Sequence, residues 1–438
     1  MDNRLTHRYF PAVLLVTAAI FALAYESYPV QIAKATGLSV SETARLTRFQ
    51  NKTIKVIKQG FGQKERQLGF GFVVENPNAG LLIEGSQYQI AAYDAEGTVV
   101  KTESGYIDIL LPSQKLGVGG TMFLDEGVTV SKIEVQISDG KTTASDPVST
   151  FVVDAVTYTS GQFSSQATGI VSNPYKSDIT ELRVSSVAYD AAGDIIGGGF
   201  TFLNFVLANG KTGIKVPVTS AKKVALVELY PIVSSLSLLN TEESLPVGAT
   251  SLMLSKQGYG QNGQTAGFGL VVENPNADFS IEGSQYHATA YAKDGNVVAV
   301  EEGYIEVLLP KQTLGIGGTS YLEKGVTISR FEIQMKPGKF KNSNAQPFLT
   351  SEKVKYQASQ YSPKVTGQII STNSKDVTNV LVSAIAYNKA GEIIGGGFTF
   401  LDFVPANGKA AVEVQIKASG KPDTVELYAV PSSLSETK

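Results

Sequence analysis

The chain repeats itself at a spacing of 198 residues, with no insertion or deletion through the matched stretch. Asn76-Pro77-Asn78 returns as Asn274-Pro275-Asn276, and 274 − 76 = 198. EGSQY at Glu84–Tyr88 returns at Glu282–Tyr286, GGGFTFL at Gly197–Leu203 returns at Gly395–Leu401, and VELY at Val227–Tyr230 returns at Val425–Tyr428. A fixed period of this kind means one structural design used twice. A residue special to chemistry is then expected in both copies.

A weaker repeat lies inside the first. YDAEG at Tyr93–Gly97 resembles YDAAG at Tyr189–Gly193, a spacing of 96, and the second half has YAKDG at Tyr291–Gly295 and YNKAG at Tyr387–Gly391. Upstream of each stands a turn sequence: Asn76-Pro77, Asn173-Pro174, Asn274-Pro275 and the diverged Ser371-Thr372-Asn373. The chain therefore reads as four related modules in the order A, B, A, B: A1 over 51–150, B1 over 151–240, A2 over 241–348 and B2 over 349–438. Each has the size of one small sandwich. One core spanning 438 residues is disfavoured, because single cores stop growing well before that length.

The first fifty residues differ from the rest. Arg4 and Arg8 precede an apolar run from Phe10 to Ala24 that ends Ala22-Leu23-Ala24. A basic start, an apolar core and an A-x-A end describe a secretory signal over 1–24. The run is short for a spanning helix, so a retained membrane anchor over 10–24 is the alternative. Residues 25–50 read as a linker, with a capping-box spacing of Ser39 and Glu42. Removing 1–24 takes away two arginines and one aspartate and moves the net charge from −3 to −4.

Strand signals recur through the modules. Phe70, Phe72 and Val74 alternate with Gly69, Gly71 and Val73; Tyr88, Ile90 and Ala92 alternate with Gln87, Gln89 and Ala91. Leu182, Val184, Ser186 and Ala188 alternate with Arg183, Ser185, Val187 and Tyr189. Period-two runs punctuated by Asn-Pro and Asp-x-x-Gly predict antiparallel strands. No segment beyond residue 50 carries a sustained helical stripe. The fold expected is all-β: four tandem antiparallel sandwiches joined in series, each with its own core. Asp94 and Asp190 are expected to close their turns by accepting backbone hydrogen bonds, with Gly97 and Gly193 supplying positive φ. A calcium role for these aspartates would have to explain Ala292 and Asn388 at the same places.

The order of strand, Asn-Pro turn, strand ending in Tyr-Asp and x-x-Gly hairpin resembles the FxLYD domain. It is also similar to the immunoglobulin-like sandwich of the late-embryogenesis-abundant (water-stress and hypersensitive-response) group. The match is best over Ile170–Val218 and Gln368–Ile416. Where the family name has Phe-x-Leu-Tyr-Asp, this chain has Ser186-Val187-Ala188-Tyr189-Asp190, so the Tyr-Asp pair is what matches. The resemblance implies an immunoglobulin-like fold and an exported or surface-associated, non-enzymatic bacterial or archaeal protein.

The strand after each YDxxG hairpin is the candidate site. It reads Tyr106-Ile107-Asp108, Phe202-Leu203-Asn204, Tyr304-Ile305-Glu306 and Phe400-Leu401-Asp402. One face thus offers an aromatic ring and then a carboxylate or amide, four times over; the other is read as wholly apolar. A binding stripe would stack the rings on sugars or partner side chains and accept hydrogen bonds at Asp108, Asn204, Glu306 and Asp402. The plainer reading is a half-exposed sheet face packed against the next module. The triplets Gly197–Gly199 and Gly395–Gly397 lack phosphate-loop spacing and point to close backbone approach at a module boundary.

Chemistry is thinly represented. The chain has no cysteine, so thiolate nucleophiles and cysteine metal sites are ruled out. Its two histidines are His7, in the leader, and His287, which is Gln89 in the other copy. Carboxylates such as Glu103 and Asp108 stand at an odd spacing on one strand and would face opposite ways. No cofactor, no metal and no enzymatic activity are expected. With 37 basic against 40 acidic groups and no basic patch, nucleic acid is an unexpected partner. The expected role is a surface or periplasmic scaffold, spacer or adhesive component that meets other cell-envelope proteins, with self-association within reach. The alternative is an array of carbohydrate-binding modules that takes surface polysaccharide.

Overall fold

The computed structural model describes residues 52–145, 148–161, 165–233, 245–360 and 362–432. The expected leader, linker and capping-box helix lie outside them. Among the described residues there is no helix, and every strand pairing is antiparallel.

Taken in chain order, the strands carry the labels A1, B1, A2 and B2 for the stretches of sequence that hold them. A1 holds β1 (Lys55–Lys64), β2 (Gln67–Glu75), β3 (Leu81–Tyr93), β4 (Val99–Leu110), β5 (Lys115–Phe123), β6 (Lys132–Ile137) and β7 (Lys141–Ala144). B1 holds β8 (Val152–Thr159), β9 (Ser165–Ser172), β10 (Ile179–Tyr189), β11 (Ile195–Val206), β12 (Lys211–Ser220) and β13 (Leu226–Ile232). A2 holds β14 (Met253–Asn262), β15 (Thr265–Glu273), β16 (Phe279–Tyr291), β17 (Val297–Leu308), β18 (Thr313–Tyr321), β19 (Arg330–Lys336) and β20 (Lys339–Asn342). B2 holds β21 (Leu349–Gln357), β22 (Lys364–Ser371), β23 (Val377–Tyr387), β24 (Ile393–Val404), β25 (Lys409–Gln415), β26 (Lys417–Ala418) and β27 (Thr424–Pro431). β14 begins 198 residues after β1 (253 − 55) and β22 begins 199 after β9 (364 − 165).

A1, A2 and B2 each hold two sheets, and the strands of B1 join into one six-stranded sheet, β13-β10-β11-β12-β9-β8, that folds over on itself. In A1 the two sheets are β1-β2-β5 and β4-β3-β6, with β7 also on β3; A2 repeats this as β14-β15-β18 and β17-β16-β19, with β20 on β16. In B1, β8-β9-β12 faces β13-β10-β11, and the far end of β12 crosses to pair with β11 at Gly197 and Gly198. In B2 the crossing piece is the separate β26 on β24. Apolar clusters fill the space between facing sheets, for example Leu68, Phe70, Phe72, Ile83, Ile90 and Leu110 in A1. Leu182, Val184, Ala188, Leu203 and Val216 do the same in B1.

The turns follow the expected chemistry. Asp94 Oδ1 accepts the Thr98 N–H at 2.7 Å, Asp190 Oδ1 accepts the N–H groups of Ala192 and Asp194 at 3.0 Å, and Gly97 and Gly193 have φ of 83° and 82°. Where A2 lacks the aspartate, Asp294 two residues on accepts the Asn296 N–H at 3.1 Å.

The sets are not beads on a string. β2 is buried on both faces, as a strand inside a layered stack must be. Leu68, Phe70, Phe72 and Val74 enter the A1 core, while Gly69, Gly71 and Val73 turn toward B1. There Val73 joins Val187, Tyr189 and Ile195 in a small cluster between A1 and B1. Much of the rest of that boundary is glycine. A Cβ on Gly60 or Gly62 would fall on the carbonyl of Ile195 or Ile196, one on Gly119 on that of Ser186, and one on Gly198 on that of Phe70. The two sheets thus approach backbone to backbone. The second half repeats the device: a Cβ on Gly396 would fall on the Phe268 carbonyl, and one on Gly317 would stand 2.5 Å from the carbonyl oxygens of Ala384 and Gly397.

The candidate strand face and the junctions around it

Three junctions set the surroundings of the candidate residues: A1 on B1, B1 on A2, and A2 on B2. At the A1–B1 junction Tyr230 lies over Gly117, so that a Cβ there would enter the ring. Tyr230 donates to Glu228 and meets Tyr189 hydroxyl to hydroxyl at 3.5 Å. Tyr387, Tyr428 and Glu426 rebuild the group at A2–B2. Burial above all holds the Tyr189 phenol up, to about 12. Burial likewise raises Tyr230, Tyr387 and Tyr428, and the neighbouring glutamates add to it.

The neutral phenol is therefore the form that the fold favours. Its contribution is complete below the unfolded value of about 10 and is lost as pH rises through the raised folded values. Thermal stability should stay level up to pH about 10 and fall above it. Phenolate absorbance should lag behind that of the unfolded chain, and Tyr230→Phe with Tyr428→Phe should reduce the lag. A melting temperature level to pH 12 in the parent would contradict this account.

The four copies of the candidate face sit on β4, β11, β17 and β24. Tyr106, Phe202, Tyr304 and Phe400 all point outward, with 55%, 37%, 50% and 56% of their surface exposed. Gln87 Nε2 donates to the Tyr106 hydroxyl at 3.1 Å. Of the eight candidates, the structure brings Asn204 and Tyr304 together, the tyrosine hydroxyl donating to Asn204 Oδ1 at 3.1 Å across the B1–A2 junction. Burial first, then the Glu181 and Glu302 carboxylates, raises the Tyr304 phenol.

The sequence pattern missed three features. Phe200 and Phe398 are also exposed and meet Phe202 and Phe400 edge to face, at centroid distances of 5.8 and 6.0 Å. Arg183 lies over the Phe200 ring at 4.5 Å. These perpendicular rings form corners rather than flat platforms. The polar residue of each copy also falls opposite a left-handed residue on the neighbouring strand: Asp108 opposite Gly85 (φ 68°), Asn204 opposite Glu181 (50°), Glu306 opposite Gly283 (71°) and Asp402 opposite Asn379 (49°). Such a residue takes its peptide groups out of the ladder, which gives a polar side chain across from it a structural use. The signal was in the sequence at Gly85 and Gly283, as glycines inside strand patterns.

The other face of the candidate strand is not uniformly an inner face. Phe205 is fully buried, but its copy Phe403 is 52% exposed. The reason is that A2 covers Phe205, through the ring of His287 at 6.5 Å, whereas no described residue plays that part at B2. His287 itself is buried between Glu302 Oε1 and the Gly213 carbonyl, each at 2.8 Å from a ring nitrogen.

A cleft of about 870 Å³ lies between A1 and B1, lined by Gly60, Gly62, Arg66, Asp125, Ile195 and Lys222 among others. The Gln63 amide beside it is committed to the backbone, donating to Val128 O at 2.7 Å and accepting from Val130 N at 2.8 Å. Among the described residues no three His, Cys, Asp or Glu side chains are grouped to hold a metal.

No family model matches the chain, and no curated protein does. Among solved structures, a tetra-tandem repeat from the extending region of a large adhesion protein is 11% identical, with 85% of this chain and 97% of that one covered and a TM-score of 0.13. Elastase-activated α2-macroglobulin from Escherichia coli is 9% identical, with 87% and 44% covered and a TM-score of 0.13. At such scores neither likeness carries weight for this chain.

Proposed function

We propose that the chain is an exported, non-enzymatic protein of the cell surface or periplasm that serves as a stiff scaffold or spacer with adhesive contacts. In this reading its strand sets are four immunoglobulin-like sandwiches with a 198-residue period, delivered by the leader over 1–24. The observation that carries the reading is the glycine-lined contact at A1–B1 and A2–B2. Units that only needed to be strung together would be joined by linkers; here backbone lies on backbone and the angle between units is fixed.

A sheet has two faces, so consecutive face-to-face packing gives a column. At about 10 Å per step the sheets would span about 70 Å. Dilute-solution X-ray scattering tests this: the radius of gyration should lie well above the roughly 22 Å of a single globule of this length. A value near that figure would refute the column. Antibody against the folded chain should label intact producing cells or their periplasm, and recovery in the cytoplasm would refute export.

The exposed aromatic corners keep a second reading, polysaccharide binding, open to test. Retention on envelope polysaccharide should then fall at least tenfold in Tyr106→Ala with Phe202→Ala. Unchanged retention removes that reading and leaves the scaffold in place.

A further inference from the structure

The B1–A2 junction is a sheet-on-sheet contact between unlike faces. From B1 it uses β9, β12 and the end of β11; from A2 it uses β16, β17 and β19. Thr168 Oγ1 donates to Val297 O at 2.8 Å, Thr212 Oγ1 to Gln334 Oε1 at 2.7 Å, and Gln334 Nε2 to Lys211 O at 2.6 Å. Lys336 and Asp178 form an ion pair at 3.1 Å. Ile170 packs on Tyr291, Val297 and Val300. Gly213 is pressed so closely on Thr289 that a Cβ at 213 would fall on the threonine methyl.

Each of these two faces has a copy in the chain that nothing described covers. The copy of the A2 face is on A1, where Val99 is 49% exposed against 3% for Val297. The copy of the B1 face is on B2, with Phe403 exposed and Thr366 half-buried where Thr168 is buried. One molecule thus presents at its two ends the two halves of the contact it makes in its middle.

Four of the facing pairs have changed together at the ends, while Thr212 becomes Ala410 and its bond to Gln334 has no counterpart at Gln136. Gly213 facing Thr289 becomes Ala411 and Ala91 (each shifted by 198): a methyl gained on one side, the branched methyl lost on the other. Ile170 facing Val300 becomes Gln368 and Thr102, an apolar pair turned polar on both sides. Asn204 and Tyr304 become Asp402 and Tyr106, still an acceptor and a phenol hydroxyl. Asp178 and Lys336 become Asp376 and Ser138, still an acceptor opposite a donor. Ala411 set against Thr289 would put its Cβ on the threonine methyl, so the B2 face suits A1 better than a second A2.

We infer that the uncovered β22–β25 face of B2 docks on the uncovered β3–β4 face of A1 in a second copy of the chain, in the B1–A2 geometry. The contact joins unlike faces, so it repeats head to tail and builds an open filament. It deepens the scaffold reading but is tested apart from it, because assembly is read in solution and export in cells.

The test uses the full chain. Mass by sedimentation should rise with concentration beyond the dimer. Ala91→Thr, which restores the branched methyl against Ala411, should weaken association at least tenfold. Adding Ala411→Gly should restore it, since the pair then matches Gly213 and Thr289. Because the chain has no cysteine, Ser138→Cys with Asp376→Cys and a short bismaleimide should give a ladder of covalent multimers. A monomer at all concentrations, indifference to Ala91→Thr, or cross-links formed only within one chain would overturn the inference. Dimers from either single-cysteine variant would mean like faces meet, and would overturn it too.

Discussion

Gly198→Ala is expected to destabilise the first half of the protein by about 3 kcal/mol or more, and Gly396→Ala the second half by a similar amount. In most strands the same change would help slightly, because alanine has less backbone freedom to lose, worth about 0.5–1 kcal/mol. Here the new Cβ would meet the carbonyl of the facing sheet, Phe70 or Phe268. A carbonyl locked in a strand ladder has no rotamer through which to escape, so the sheets must separate. Separation exposes Val73, Val187 and Ile195, which are buried at that boundary. The clash therefore outweighs the propensity gain. Gly420, with nothing within 4 Å of its would-be Cβ, supplies the control: Gly420→Ala should leave the melting curve unchanged. Equal curves for all three variants would show that A and B sets do not press together as described.

Much of the strand layout could be read from the residues, because burial on one face writes itself as period two. Tyr88, Ile90 and Ala92 alternate with Gln87 and Gln89 and the structure buries the first three. The glycine triplet could also be assigned to a close approach, since no other use suited its spacing. What was illegible is the partner of each face. β2 alternates phenylalanine with glycine, and an exposed glycine and one pressed against a carbonyl are the same letter. The candidate face was half legible for the same reason. Its outward rings were found from their alternation, but contact depends on which set lies opposite. Asn204 and Tyr304 were read as the polar and the aromatic position of two separate copies of one face, and they touch because B1 docks on A2. The kink at Glu181 left no mark, since glutamate does not announce a left-handed backbone, whereas asparagine, the residue at 379, is a type enriched there.

Asn76→Ala should be among the most damaging single changes at a polar residue, at about 3 kcal/mol. Asn76 is fully buried, and its Nδ2 donates to the carbonyls of Leu81, Leu110 and Leu111 at 2.8, 3.2 and 2.9 Å. Its Oδ1 accepts the N–H of Asn78 at 3.0 Å. One amide thereby ties the start of β3 to the end of β4 and fixes the crossing between the two sheets of A1. Alanine removes the donors; the Leu111 carbonyl keeps the Gln114 N–H at 3.1 Å, so the larger penalty falls on the carbonyls of Leu81 and Leu110, which each lose a buried partner. Asn76→Asp should do at least as much harm, since a carboxylate offers only acceptors to carbonyls. Asn274 and Asn173 hold the same position in A2 and B1, but B2 has Ser371, whose hydroxyl accepts the Asn373 N–H at 3.1 Å. Serine reproduces the acceptor half of the device and cannot span to three carbonyls. B2 should accordingly be the least protected of the four sets in native-state hydrogen exchange around this turn, and Ser371→Asn should raise that protection. Faster exchange at the Asn76 turn than at Ser371 would show that the amide is not what secures the crossing.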